Sequence, residues 1–214
     1  MKKITFFIIA AFFLSMYSIS AIAQLDIRYK KPPAEIQELV DVPYAPRVRI
    51  DSRGEFMVLL YRDQFKTLEE LSEKEMRLAG LRINPKVNNN SRERYYNNLK
   101  VMKVGEKEAG EVSGLPENPR LSNFDWSPDE HWMAFTHTGN QGVELWVLDI
   151  RNASCKKLTE DRVNANLGRP MQWFSDSKNL LVKFIPDDRQ ALKDKEEMIP
   201  SGPRVSINEG QKAQ

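Results

Sequence analysis

The chain has 214 residues, with 32 lysines and arginines against 30 aspartates and glutamates, for a formal net charge of +2. So even a balance argues against a nucleic-acid partner, which demands a clustered basic surface. The lone cysteine, Cys155, excludes an internal disulfide and reads as a small, half-buried strand residue rather than a catalytic thiol.

Residues 1–23 carry a Lys2-Lys3 start, an apolar run and an Ala21-Ile22-Ala23 site of small residues. That is the pattern of a secretory signal peptide cleaved before Gln24. The apolar run is shorter than the roughly 20 residues a spanning helix needs. The expectation is therefore an exported protein, periplasmic or extracellular, with no membrane contact after cleavage. Residues 24–45 read as an extended amino-terminal segment.

The body of the chain repeats itself. Residues 123–135 read NFDWSPDEHWMAF and residues 171–184 read MQWFSDSKNLLVKF, placing Trp126 and Trp173 in equivalent positions 47 residues apart. After SPDE come an apolar strand, the turn GNQG, the strand VELWVLDI, the turn RNAS and the short strand CKKLT. Four short strands joined by tight turns in about 45 residues are the sequence form of one propeller blade. Asp129 suits the turn because its carboxylate can accept from amides two residues on. Trp126 is expected on a blade face, packed against the next blade.

A looser copy opens the body at RVRIDSRGEFMVLLYR, residues 47–62, with Ile50 standing for the aromatic and Arg53-Gly54 for the turn. It is completed by strands over 97–104 and near 110–112. The fold class expected is all-β: an incomplete β-propeller of about two and a half four-stranded blades, over residues 46–185. An insertion at 63–95 interrupts the first blade. Its TLEELSEKEMRLAG stretch reads as a helix, with a Thr67–Glu70 capping box, leucines at 68, 71 and 78, and Gly80 as the stop. The asparagine-rich stretch after it reads as a solvated loop. Residues 186–214 read as a polar tail or a truncated blade.

Catalytic signatures are missing from the sequence. It holds no GxSxG, HExxH, CxxC or phosphate-loop pattern. His131 and His137, six apart, are expected to share a strand face, yet no further ligand lies near them in sequence. No cofactor or metal site is expected. Arg82, Arg92 and Arg94 flank the asparagine-rich loop, where they can bind a carboxylate or another domain, or stand as ordinary solvated arginines.

Taken in order, YKKPPAEIQELVDVPYAP, RLAGLRINPKVNNNSRERYYNNLKV, FDWSPDEHWMAF and QWFSDSKNLLVKFIPDDR resemble the amino-terminal part of glutamyl endopeptidases. These belong to the prolyl oligopeptidase (S9) family of serine peptidases. The resemblance implies an amino-terminal propeller that gates peptide access to an α/β-hydrolase domain bearing Ser, Asp and His. No position of this sequence matches those catalytic residues, so the resemblance implies no peptidase activity for the chain by itself. Its implied partners are the hydrolase domain and, in a full-length peptidase, peptide substrates. The alternative is a free-standing exported propeller module of the TolB or WD-like kind, for protein or peptide binding. Either reading leaves open sheet edges, so self-association is expected as well.

Overall fold

A computed structural model describes residues 31–189. The signal-peptide expectation for 1–23 and the tail from 190 onward lie outside the described residues. Among the described residues, those up to Val42 and those from Pro43 fall into two separate units. In the first, α1 spans Ala34–Val40, where an extended segment was expected. Pro33 presets the entry to the helix and Glu35 places a carboxylate in its first turn, which favours the positive helix start.

The second unit is built of antiparallel sheets. The first sheet has the order β1-β2-β6-β7, with β1 at Arg47–Ile50, β2 at Phe56–Tyr61, β6 at Asn98–Lys103 and β7 at Gly110–Glu111. The second is an unbroken meander of β8 (Leu121–Trp126), β9 (Trp132–Thr138), β10 (Val143–Asp149) and β11 (Ser154–Lys157). A third pairs β12 (Met171–Trp173) with β13 (Leu180–Val182). The strands therefore fall where the repeat placed them, and the fold is mostly β.

Alternation along β9 explains why the second sheet is covered on both sides. Met133 and Phe135 face the first sheet and join Val58, Leu60, Leu99 and Val101 in one apolar cluster. Ala134 points the other way, into a second cluster with Val143, Leu145, Val163 and Met171. Full burial of each large side chain contributes about 1.5–3 kcal/mol, so these two layers hold the sheets together. Trp126 pairs in register with Met133 and packs in the first cluster, against the preceding sheet rather than the following one. Strand periodicity decides this, because Trp126 must share the face of its cross-strand neighbour.

The opening turns of the three sheets repeat closely. Gly54, Glu130 and Ser177 occupy the same turn position with φ of 68°, 58° and 57°. In each turn the amide of that residue donates to the carbonyl three residues before it, in Asp51, Ser127 and Phe174. Neighbouring turns are also tied together. Ser52 donates through its amide and hydroxyl to the Glu130 carboxylate, and the Asp129 amide donates to Ser177 Oγ at 3.0 Å.

The insertion differs from its sequence reading. The capping box is present, with Thr67 Oγ1 accepting from the Glu70 amide, yet α2 covers only Leu68–Ser72. Beyond it, β3 (Met76–Leu78), β4 (Leu81–Asn84) and β5 (Asn89–Asn90) form a three-stranded sheet. Ala79 and Gly80, at φ 47° and 85°, make the tight β3–β4 hairpin turn instead of a helix stop. Leu68, Leu71 and Leu78 are all exposed, so no apolar stripe had a core to hold a longer helix.

Candidate functional site

The asparagine-rich stretch is largely buried, not solvated. Asn84, Asn88 and Asn89 are 4%, 7% and 1% exposed. Each is satisfied by a side chain: Asn84 Nδ2 donates to Glu73 within the insertion at 2.6 Å, while Asn88 Nδ2 reaches Asn164 at 2.9 Å and Asn89 Nδ2 reaches Thr138 Oγ1 at 3.0 Å. The Asn89 and Asn88 bonds dock the insertion onto β9 and onto the loop before β12, because a buried amide demands a partner.

Of the three candidate arginines, two already hold a carboxylate of this chain. Arg82 Nη1 lies 2.9 Å from Glu75, and Arg92 Nε lies 3.9 Å from it. Arg77 and the Ser91 hydroxyl complete the cluster at 2.8 and 2.7 Å. Hydrogen bonds from Ser91 and then Arg77 lower the Glu75 carboxyl to a pKa of about 2. Arg94 is placed differently. It is exposed, and among the described residues its guanidinium makes no ion pair or hydrogen bond. It lines two cavities.

The larger cavity, about 570 Å³, lies along the first strands of the three sheets. Arg47 and Arg49 enter it from β1, Arg62 from the end of β2, Asn123 and Asp125 from β8, and Arg169 from the approach to β12. Five arginines, counting Arg94, thus face two carboxylates, those of Glu93 and Asp125. Arg49 donates to the Phe124 carbonyl at 3.0 Å, linking β1 to β8. Trp173 Nε1 donates to the Asp125 carbonyl at 3.2 Å, linking β12 to β8. Burial, and then the nearby Arg47, push the Arg49 guanidinium below its ordinary pKa. Burial also raises Glu93 above the usual carboxylate range.

A bulge between Ser122 and Asp125 shapes the floor of this cavity. Asn123 sits there at φ 53°, a backbone state that asparagine tolerates better than most residues, and its amide donates to Thr136 Oγ1 at 2.9 Å. A second cavity of about 380 Å³ shares Arg62 and Arg94 with the first and adds Tyr44, Lys66, Glu70, Tyr95 and Arg120. Arg62 stacks over the Tyr44 ring at 5.3 Å and Arg120 over the Tyr95 ring at 4.5 Å.

The histidines do not share a face. His131 lies in the turn before β9, 3.5 Å from Asp129 and 3.0 Å from Arg151. His137 is buried within β9, with Nδ1 3.1 Å from Glu144. No group of three metal-ligating side chains occurs among the described residues. Cys155 lies in β11, half-buried, with its thiol pushed up to about 12 by burial. Sequence reasoning singled out neither Arg47, Arg49, Arg62 nor Arg169. The signal available was Arg47-x-Arg49, two arginines on one face of a short strand.

No protein-family model matches the chain. A protein of Arabidopsis thaliana named as a chloroplastic glutamyl endopeptidase is 29% identical over 195 residues, covering 85% of this chain and 20% of the relative. One of the same name from Oryza sativa is 30% identical over 197 residues, again covering 85% of this chain and 20% of the relative. A solved Bacteroides fragilis structure named as a 6-phosphogluconolactonase overlaps at a TM-score of 0.30 and 13% identity. It covers 65% of this chain and 47% of its own, and so loose an overlap carries no structural argument. Among the described residues no helix is long and apolar enough to cross a membrane. The chain spans about a fifth of the length of the curated relatives it matches, and its distant homology to glutamyl endopeptidases runs through 85% of its own residues.

Proposed function

We propose that this chain is the amino-terminal propeller part of an exported serine peptidase of the prolyl oligopeptidase family, acting on peptides with acidic residues. Its role is to gate and orient peptides on their way to a hydrolase domain. The observation that carries this reading is the cavity along β1, β8 and the approach to β12, with its five arginines. In a propeller the first strand of each blade lines the central channel, so these arginines would line the path of an entering peptide. The 29–30% identity to proteins named for glutamate-directed cleavage supports the same reading. Catalysis would come from residues outside those described here, and the propeller would contribute selection.

An antibody against residues 43–189 tests the assignment in the source organism. The reading expects the antibody to capture a polypeptide that also reacts with a fluorophosphonate serine probe. Captured protein that never labels, in any fraction, would overturn the peptidase assignment and favour a free-standing binding module.

A further inference from the structure

The two cavities meet at a common wall made of Arg62 and Arg94. Arg47, Arg49 and Arg169 lie in one lobe, and Lys66 and Arg120 in the other. Three of these seven cations are already committed within the chain. Arg62 lies over Tyr44, Arg49 binds the Phe124 carbonyl, and Arg120 reaches Glu73 at 3.3 Å. Arg94 alone borders both lobes while its guanidinium is unengaged among the described residues.

We propose that the two lobes form one site for a peptide segment bearing two acidic side chains, one carboxylate per lobe, with Arg94 as the specificity-determining residue between them. The proposal deepens the functional reading above and rests on it for the ligand being a peptide. A guanidinium donates to a carboxylate in bidentate fashion, a geometry that Arg49 and Arg120 have partly spent on internal partners, and Arg47 and Arg169 each reach only one lobe. Lobes of about 570 and 380 Å³ both lie within the range of small-ligand sites, so each has room for one side chain and its flanking backbone. Carboxylates are interspersed with the cations, Glu93 and Asp125 in one lobe, Asp63 and Glu70 in the other. A continuous polyanion such as single-stranded nucleic acid would meet these as repulsive points, whereas two discrete carboxylates can avoid them.

The test uses the purified chain and fluorescent short peptides carrying no, one or two glutamates, read by anisotropy at low and high salt. The two-glutamate peptide is expected to bind about tenfold more tightly than the one-glutamate peptide, equivalent to about 1.4 kcal/mol. Arg94→Ala should abolish that advantage with an unchanged melting temperature. Arg94→Lys should restore only part of it, since an ammonium lacks the bidentate fork. Arg92→Ala, a change to an arginine held by Glu75, should leave binding unaltered. Equal affinity for one and two glutamates, an unaffected Arg94→Ala variant, or competition by oligothymidylate as effective as by peptide would each overturn the proposal. None of these outcomes touches the fluorophosphonate result, which reads the larger polypeptide and not this groove.

Discussion

The backbone amide of Asp129 donates to Ser177 Oγ at 3.0 Å, joining the opening turn of the second sheet to that of the third. Ser177 is only 8% exposed and holds a left-handed φ of 57°. Ser177→Ala should lose the bond while keeping the backbone strain, and cost about 1–2 kcal/mol. Ser177→Gly loses the same bond but relaxes the backbone, as Gly54 does in the first turn, so it should cost measurably less. Urea unfolding of both variants checks this, and equal losses would refute the strain argument.

Glu75 supplies a pH dependence whose sign is fixed. Its folded pKa, about 2, lies below the ordinary 4.5, chiefly through the Ser91 hydrogen bond and then that of Arg77. A depressed carboxyl contributes stability above its unfolded pKa and loses it as pH falls towards the folded value. Stability should therefore decline between pH 4.5 and about 2, and Glu75→Gln should flatten the profile in that window. Thermal melts across the range, wild type against variant, decide it.

Cys155 should resist alkylation. With its pKa raised to about 12 by burial, almost no thiolate exists near neutral pH. Iodoacetamide at pH 8 should label the native chain slowly and the urea-unfolded chain fast. Rapid labelling of the native chain would contradict the packing around β11.

Gly142 is required by a close backbone approach. An added Cβ would collide with the carbonyl oxygen of Asp161, in the segment that bridges Val143 to Arg162. That carbonyl is backbone and cannot swing aside, so Gly142→Ala should destabilise by roughly 1–3 kcal/mol. Differential scanning calorimetry would register the change as a lowered melting temperature.

Self-association is expected from the open sheet faces. Val48 and Ile50 lie on the face of β1 opposite Arg49 and are 46% and 54% exposed. Phe174, Leu181 and Phe184 around the third sheet are 52%, 61% and 51% exposed. Apolar residues gathered on outer faces favour contact between chains. Sedimentation velocity over a concentration series should show a rising weight-average mass, and Ile50→Lys with Leu181→Lys should suppress it.

The strands of the three main sheets were legible in the sequence because each is a short apolar run bounded by turn residues, and the turn chemistry repeats. Matching Ile50 with Trp126 and Trp173 aligns three turns whose left-handed residues coincide in the structure, Gly54, Glu130 and Ser177. The insertion was not legible. Its leucines carry a helical spacing, but spacing supports a helix only where a core receives the stripe, and here those leucines face solvent. Asparagine composition suggested a loop, whereas Asn88 and Asn89 are buried because Asn164 and Thr138, distant in sequence, supply their partners. The same holds for the site. Beyond the Arg47-x-Arg49 pair, the arginines at 62, 94 and 169 share no local pattern, and only the packing of first strand beside first strand brings them into one cavity. Local periodicity encodes strands and turns because neighbouring residues alone set them, while the convergence of charges depends on how separate sheets pack face to face.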